Sequence, residues 1–414
     1  MTGPDPGVLR TPDGVLYRPG QLLAAAAVAP EAARALGALG AQVVGSAERY
    51  GIVRLELAPG VDPVVAARQL PRSGNRALVA PNHLLGAQTR GEPELGVAPP
   101  PWAAGLGEPA PDGPVVTILD GIAGHRALDA RVGAVARTGA VVGTFAAGLV
   151  SRDAPRARLR GTETLGAGGL VGLVDEWALL DAAATVRADL PSVVLVPFAG
   201  RTLGDESTAA LERVIADLSD GAVVVAAAGE TVSGRPSWPA ASQLVVAVGE
   251  PEGTGPGGRP PWVDAEADGS GLVSTWPGPY GRDTWARWGG SAFAAAVVAG
   301  GIAGLLDDRF ADPRRAAREF LRGGTPRGGA GGYPPLGPPT GETPAQSPGR
   351  ATPAPRPGRG SPSPGGGAPP RGRGKPPPGG GKPSPGRGTP LPGGTRPPPG
   401  GATPSPPGGG KPSP

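Results

Sequence analysis

Cysteine is absent from all 414 residues, which excludes disulfides, thiolate metal sites and a cysteine nucleophile. Histidine occurs only as His83 and His125, so an imidazole base has two candidates. No apolar run approaches the length of about 18 residues that a membrane helix requires. The start, MTGPDPGVLRTPDG, has no basic stretch leading into an apolar one, and LLAAAAVA at 22–29 begins late and meets Pro-Glu. No signal peptide is expected, and a cytoplasmic location follows. No His/Asp/Glu cluster has metal-ligand spacing. The Gly-rich runs GAGG (166–169) and GPGG (255–258) lack a following Lys-Ser/Thr, so no phosphate loop, metal or other cofactor is read.

Glycine and proline are abundant, with 74 and 57 copies, and they concentrate at one end. Residues 325–414 have almost no large apolar side chains and repeat PPGGGKPSP at 377–385 and 406–414. Such a stretch buries too little surface to offset the entropy of ordering, so a disordered tail is expected. It carries eleven Arg and Lys against Glu342 alone, a charge of +10. The whole chain is +4, which leaves −6 for the rest. The basic character therefore belongs to the tail, which suits an acidic surface, RNA or a solubilising spacer. The acidic remainder gives no sign of a nucleic-acid groove.

Residues 15–86 read as one small unit. VLYRPGQLLAA suits a strand, PEAARALGALG a helix with Pro in its first turn, and AQVVGSAERYGIVRLEL two strands. DPVVAARQL follows as a helix and RALVAPNHLL as a closing strand. The order β-α-β-β-α-β is that of a ferredoxin-like sandwich. A Pro-rich connector spans 92–114, giving a first domain over 1–91. From Val115 the runs VVTIL, SVVLVPF, AVVVAAAG and QLVVAVG are continuously apolar, as in parallel strands buried on both faces. Helical stretches at 174–190 and 205–221 alternate with them. A doubly wound α/β domain over 115–324 is expected, with Asp120, Gly200 and Glu230 at strand carboxyl ends. SAFAAAVVAGGIAGLLDD should be a central, buried helix.

Five segments occur in the order of a known family. VVTILDGIAGHRALDARV looks like the aspartate motif of the subtilisin-like serine proteases, and VVGTFAAGLVSRDAPRARL like their histidine motif. VVVAAAGE resembles the strand carrying the oxyanion asparagine, and PSWPAASQLVVAVG the Pro-Ala strand entry. GSAFAAAVVAGGIAGLL resembles the serine motif running into its helix. The 15–86 unit resembles the family's inhibitory propeptide, with ALVAPNHLL in place of its closing strand. The resemblance implies a subtilisin-like fold preceded by a propeptide-type domain.

The family's functional positions, carried over one at a time, are largely substituted. The aspartate falls on Asp120, the histidine on Val142, the oxyanion asparagine on Glu230 and the serine on Ala292. A one-residue slip would bring Ser291 to the serine position, but it would displace Phe293, Ala294, Ala295 and the Val297–Gly300 run. His83 lies in the propeptide-like strand, and His125 matches a non-catalytic histidine of the first motif. A serine hydroxyl attacks only when a base takes its proton, and an aspartate only orients that base. The resemblance therefore implies a pseudoprotease with a binding or regulatory role. The alternatives are an active endopeptidase working through Ser291 or another group, an Asp120–Glu230 carboxylate pair, and a scaffold acting through its tail. The expected partners are an extended peptide in the cleft, the chain's own N-terminal domain docked in cis, and an acidic partner for the tail. Trp238, Trp262, Trp276, Trp285 and Trp288 read as core, propeptide-contact or cleft residues.

Overall fold

The computed structural model describes residues 7–70, 78–133, 140–165, 172–229, 231, 233–251, 259–278 and 283–323. Glu230, both Gly-rich runs and the 325–414 tail lie outside the described residues.

The N-terminal lobe comprises β1 (Leu9–Arg10), β2 (Leu16–Ala25), α1 (Ala29–Ala35), β3 (Gln42–Ala47), β4 (Ile52–Glu56), α2 (Pro63–Ala67) and β5 (Val79–Ala87). Its antiparallel strands lie in the order β5-β2-β4-β3, with β1 on β2. Period-two alternation explains why both sheet faces are covered. On β2, Leu22 enters the lobe's own core under α1 and α2, with Leu36 and Leu55. Its neighbour Leu23 enters a different cluster with Tyr50, Ile52 and Leu85. That second cluster is completed by the helices of the α/β unit. Each such buried side chain contributes about 1.5–3 kcal/mol.

β6 (Arg90–Leu95) crosses from the end of the first lobe into the connector. The α/β unit then follows as β7 (Val115–Ile118), α3 (Val141–Asp153), β8 (Arg158–Gly161), β9 (Leu173–Asp175), α4 (Glu176–Ala188), β10 (Val193–Val196), β11 (Phe198–Ala199), α5 (Ala209–Ser219), β12 (Val223–Ala227), β13 (Val245–Gly249), β14 (Ala265–Glu266), β15 (Leu272–Pro277), β16 (Asp283–Gly289), α6 (Ser291–Asp308) and α7 (Pro313–Arg322). Six strands form a parallel sheet in the order β14-β13-β12-β10-β7-β8. Their Val-rich runs are buried on both faces, by α3, α6 and α7 on one side and α4 and α5 on the other. β7 leads to β8 on one side while β10 leads to β12 on the other, so the winding reverses between β7 and β10. The carboxyl ends at such a reversal form the crevice of an open α/β sheet.

A third sheet, β15-β16-β6, is antiparallel. The stretch read as a Pro-rich connector thus contributes a strand at 90–95. Pro93 is tolerated there because β6 is an edge strand, whose outward N–H groups need no ladder partner.

Candidate functional site

Two helices point their N-termini into the crevice, and neither has a side-chain cap of its own. The first-turn N–H groups of any helix lack intrahelical partners. At α3 the need is met from the end of β7: Gly143 N–H donates to Asp120 Oδ2 at 2.7 Å. Gly143 is required, since a Cβ there would collide with the Gly121 carbonyl oxygen. Asp120 is 3 % exposed. Burial pushes its carboxyl up to about 7, against the opposing effect of N–H groups from Gly143, Gly121 and Leu165.

At α6 the need is met by the N-terminal part of the chain. Ala292 N–H donates to the Gln88 carbonyl oxygen at 2.9 Å. Gly290 precedes this turn with φ 137°, a backbone conformation that favours glycine. A Cβ there would also strike the Gln88 carbonyl oxygen and the Thr89 Cα. Ala292 is fully buried, and Val142 lies in the same apolar cluster. Ser291 Oγ accepts a hydrogen bond from Gly229 N–H at 3.1 Å.

Residues 84–95 run through this crevice. Leu84, Leu85 and Gly86 pair with Asp175, Val174 and Leu173 of β9, while Gly86 and Ala87 pair with Ala199 and Phe198 of β11. The end of β5 is therefore a strand inserted between two short strands of the α/β unit. Gln88 N–H donates to the Pro197 carbonyl, and Gln88 Nε2 to the carbonyls of Gly86 and Ala199. Past Thr89, Arg90 pairs with Glu250 at 3.0 Å, and β6 pairs with β16. Trp288 Nε1 donates to the Gly91 carbonyl.

Neither histidine bonds to Ser291. His83 is fully buried; its Nδ1 lies 2.7 Å from Glu176 Oε1, and its Nε2 accepts from Leu203 N–H. That acceptor role places the ring proton on Nδ1, so His83 donates to the carboxylate. Thr208 donates to Glu176 Oε2 at 2.6 Å, which completes a buried network joining β5 to α4 and α5. His125 bonds the Thr284 carbonyl, accepts from Ala127 N–H and lies edge-on to Trp285. Burial holds its ring below the usual imidazole range.

The structure thus brings Asp120, Val142, Ser291 and Ala292 to one crevice, and places His83 and His125 in packing networks. Gln88, Arg90 and Glu250 were not singled out in the sequence. The only available signal was the position of AQTR directly after the closing strand. Trp177, also not singled out, packs on Gly45 and under Arg54 of the lobe. Among the described residues no group of three or more His, Asp or Glu side chains can hold a metal ion, and no helix is long and apolar enough to cross a membrane.

No family model matches the chain, and no curated protein matches it. Among solved structures it is similar to fervidolysin from Fervidobacterium pennivorans, a keratinolytic enzyme related to subtilisin. The TM-score is 0.56 at 18 % identity, over 77 % of this chain and 59 % of fervidolysin's length. The shared property is a subtilisin-like fold.

Proposed function

We propose that this chain is a catalytically inactive homologue of the subtilisin-like proteases and that it acts by binding rather than by hydrolysis. The observation that carries the reading is at the start of α6. There the Ala292 N–H holds the Gln88 carbonyl, and residue 292 offers only a methyl group. The subtilisin-like fold supports assigning Asp120, Val142, Glu230 and Ala292 to the four catalytic positions. Alanine cannot attack and valine cannot accept a proton. Loss of serine or histidine alone from such a triad costs about 10⁶ in kcat. A carboxylate at the oxyanion position would further repel the developing charge.

In this reading residues 1–91 are a propeptide-type domain that stays attached, 92–114 connect it, and 115–324 form the subtilisin-like domain. The basic tail, 325–414, would hold an acidic partner through its Arg and Lys side chains. The test is labelling with a fluorophosphonate, which reports an activated serine. No label and no hydrolysis of casein above buffer are expected. Labelling at Ser291 would overturn the reading.

A further inference from the structure

The crevice holds a strand of the chain itself, the end of β5 and the residues that follow it. On one side of Gln88 the inserted strand offers Leu85, Gly86 and Ala87, held between β9 and β11 by main-chain pairing. Pairing of this kind gives affinity with little sequence demand. The selective element lies two residues beyond Gln88. The Glu250 side chain is only 8 % exposed, and its Oε2 meets Arg90 at 3.0 Å. Its other oxygen lies 3.4 Å from the Ser270 hydroxyl. Gly269 makes room for it, since a Cβ there would lie 2.8 Å from Glu250 Oε1. A carboxylate so enclosed is costly without a cationic partner, whereas the arginine facing it is half exposed. The acid is fixed to the scaffold and the base arrives on the strand.

We propose that Glu250 makes this groove a binding site for extended peptides with small residues followed, two positions past the residue on Ala292, by arginine. Residues 85–90 are its resident ligand. The inference rests on the inactive-protease reading and adds the class of partner. A tethered strand acts at an effective concentration in the millimolar range, so an outside peptide enters only when the resident strand is weakened. Arg90→Glu weakens it by setting two carboxylates against each other, and Arg90→Ala does so more mildly.

The test measures fluorescence anisotropy of labelled Leu-Leu-Gly-Ala-Gln-Thr-Arg-Gly-Glu with the full chain. Arg90→Glu and Arg90→Ala should each bind this peptide about tenfold tighter than the unaltered protein does. The same peptide with glutamate in place of arginine should bind about tenfold more weakly, and Glu250→Gln in the Arg90→Ala chain should abolish that preference. Equal binding of both peptides, equal binding by unaltered and altered chains, or no binding by any form at about 1 mM would overturn the proposal. Mass spectrometry of the peptide separates the two claims. A cleaved peptide counts against inactivity, and an intact, unbound peptide counts against the groove.

Discussion

Replacing Asp120 with asparagine removes a charge that burial makes costly and leaves the side chain the same size. In the folded chain its carboxyl titrates at about 7, against an ordinary value of 3.8. The folded state therefore holds this proton more tightly than the unfolded chain does. The resulting stability is complete below pH 3.8, declines as pH rises and is lost above about 7. At about 1.4 kcal/mol per pH unit, the gap amounts to a ceiling of about 4 kcal/mol. Asparagine stays neutral throughout, and its amide oxygen can still accept from Gly143 N–H. Asp120→Asn should therefore match the unaltered protein near pH 4 and exceed its stability at pH 8 by up to about 4 kcal/mol. At roughly 2–4 °C per kcal/mol, the difference is readable as several degrees in Tm. Asp153, another carboxyl raised by burial, is present in both proteins and cancels in the difference. Asp120→Ala is the control: it leaves Gly143 N–H without its acceptor and should cost about 1–3 kcal/mol even near pH 4. Thermal melts of the three proteins from pH 4 to 9 decide the matter. A difference between Asp120→Asn and the unaltered chain that does not grow with pH would refute the reasoning.

His83→Ala should cost about 1–3 kcal/mol for each group left unpaired, read in urea unfolding, because it removes one of two donors to the buried Glu176 carboxylate and leaves Leu203 N–H without its acceptor. Joint replacement of His83 and Glu176 by leucine should cost less than that single change. Gly290→Ala should expel Gln88 from the crevice, seen as faster amide exchange over residues 86–90 with the parallel-sheet strands still protected. Ala292→Ser alone should restore no peptide hydrolysis, since Val142 supplies no base; measurable turnover would reveal a base elsewhere.

The parallel sheet was legible because β7, β10, β12 and β13 are buried on both faces, which writes them as unbroken Val and Ala runs. The small-residue helix α6 was legible for the same reason. β15 and β16 went unread because they mix Trp, Arg, Ser and Thr, and they pair with each other and with an edge strand rather than with the parallel sheet. β9 and β11 have three and two residues, too few for any period, and β5 defines them by pairing from far away in the chain. The same holds for the site. Asp120 could be read from its place at a strand end. Gln88, Arg90 and Glu250 acquire their roles from partners well over a hundred positions away, such as Arg90 with Glu250 and Gln88 with Ala292. Beyond the place of Gln88 and Arg90 directly after the closing strand, nothing local distinguishes them.

The Gln88–Thr89 peptide bond, whose carbonyl is held by Ala292 N–H, is proposed to stay uncut. Intact-mass spectrometry of the purified protein, followed during prolonged incubation at neutral pH, tests this most directly. A single species is expected, in which residue 88 stays joined to residue 89. A fragment with Thr89 as its new N-terminus, accumulating at a rate independent of protein concentration, would contradict it.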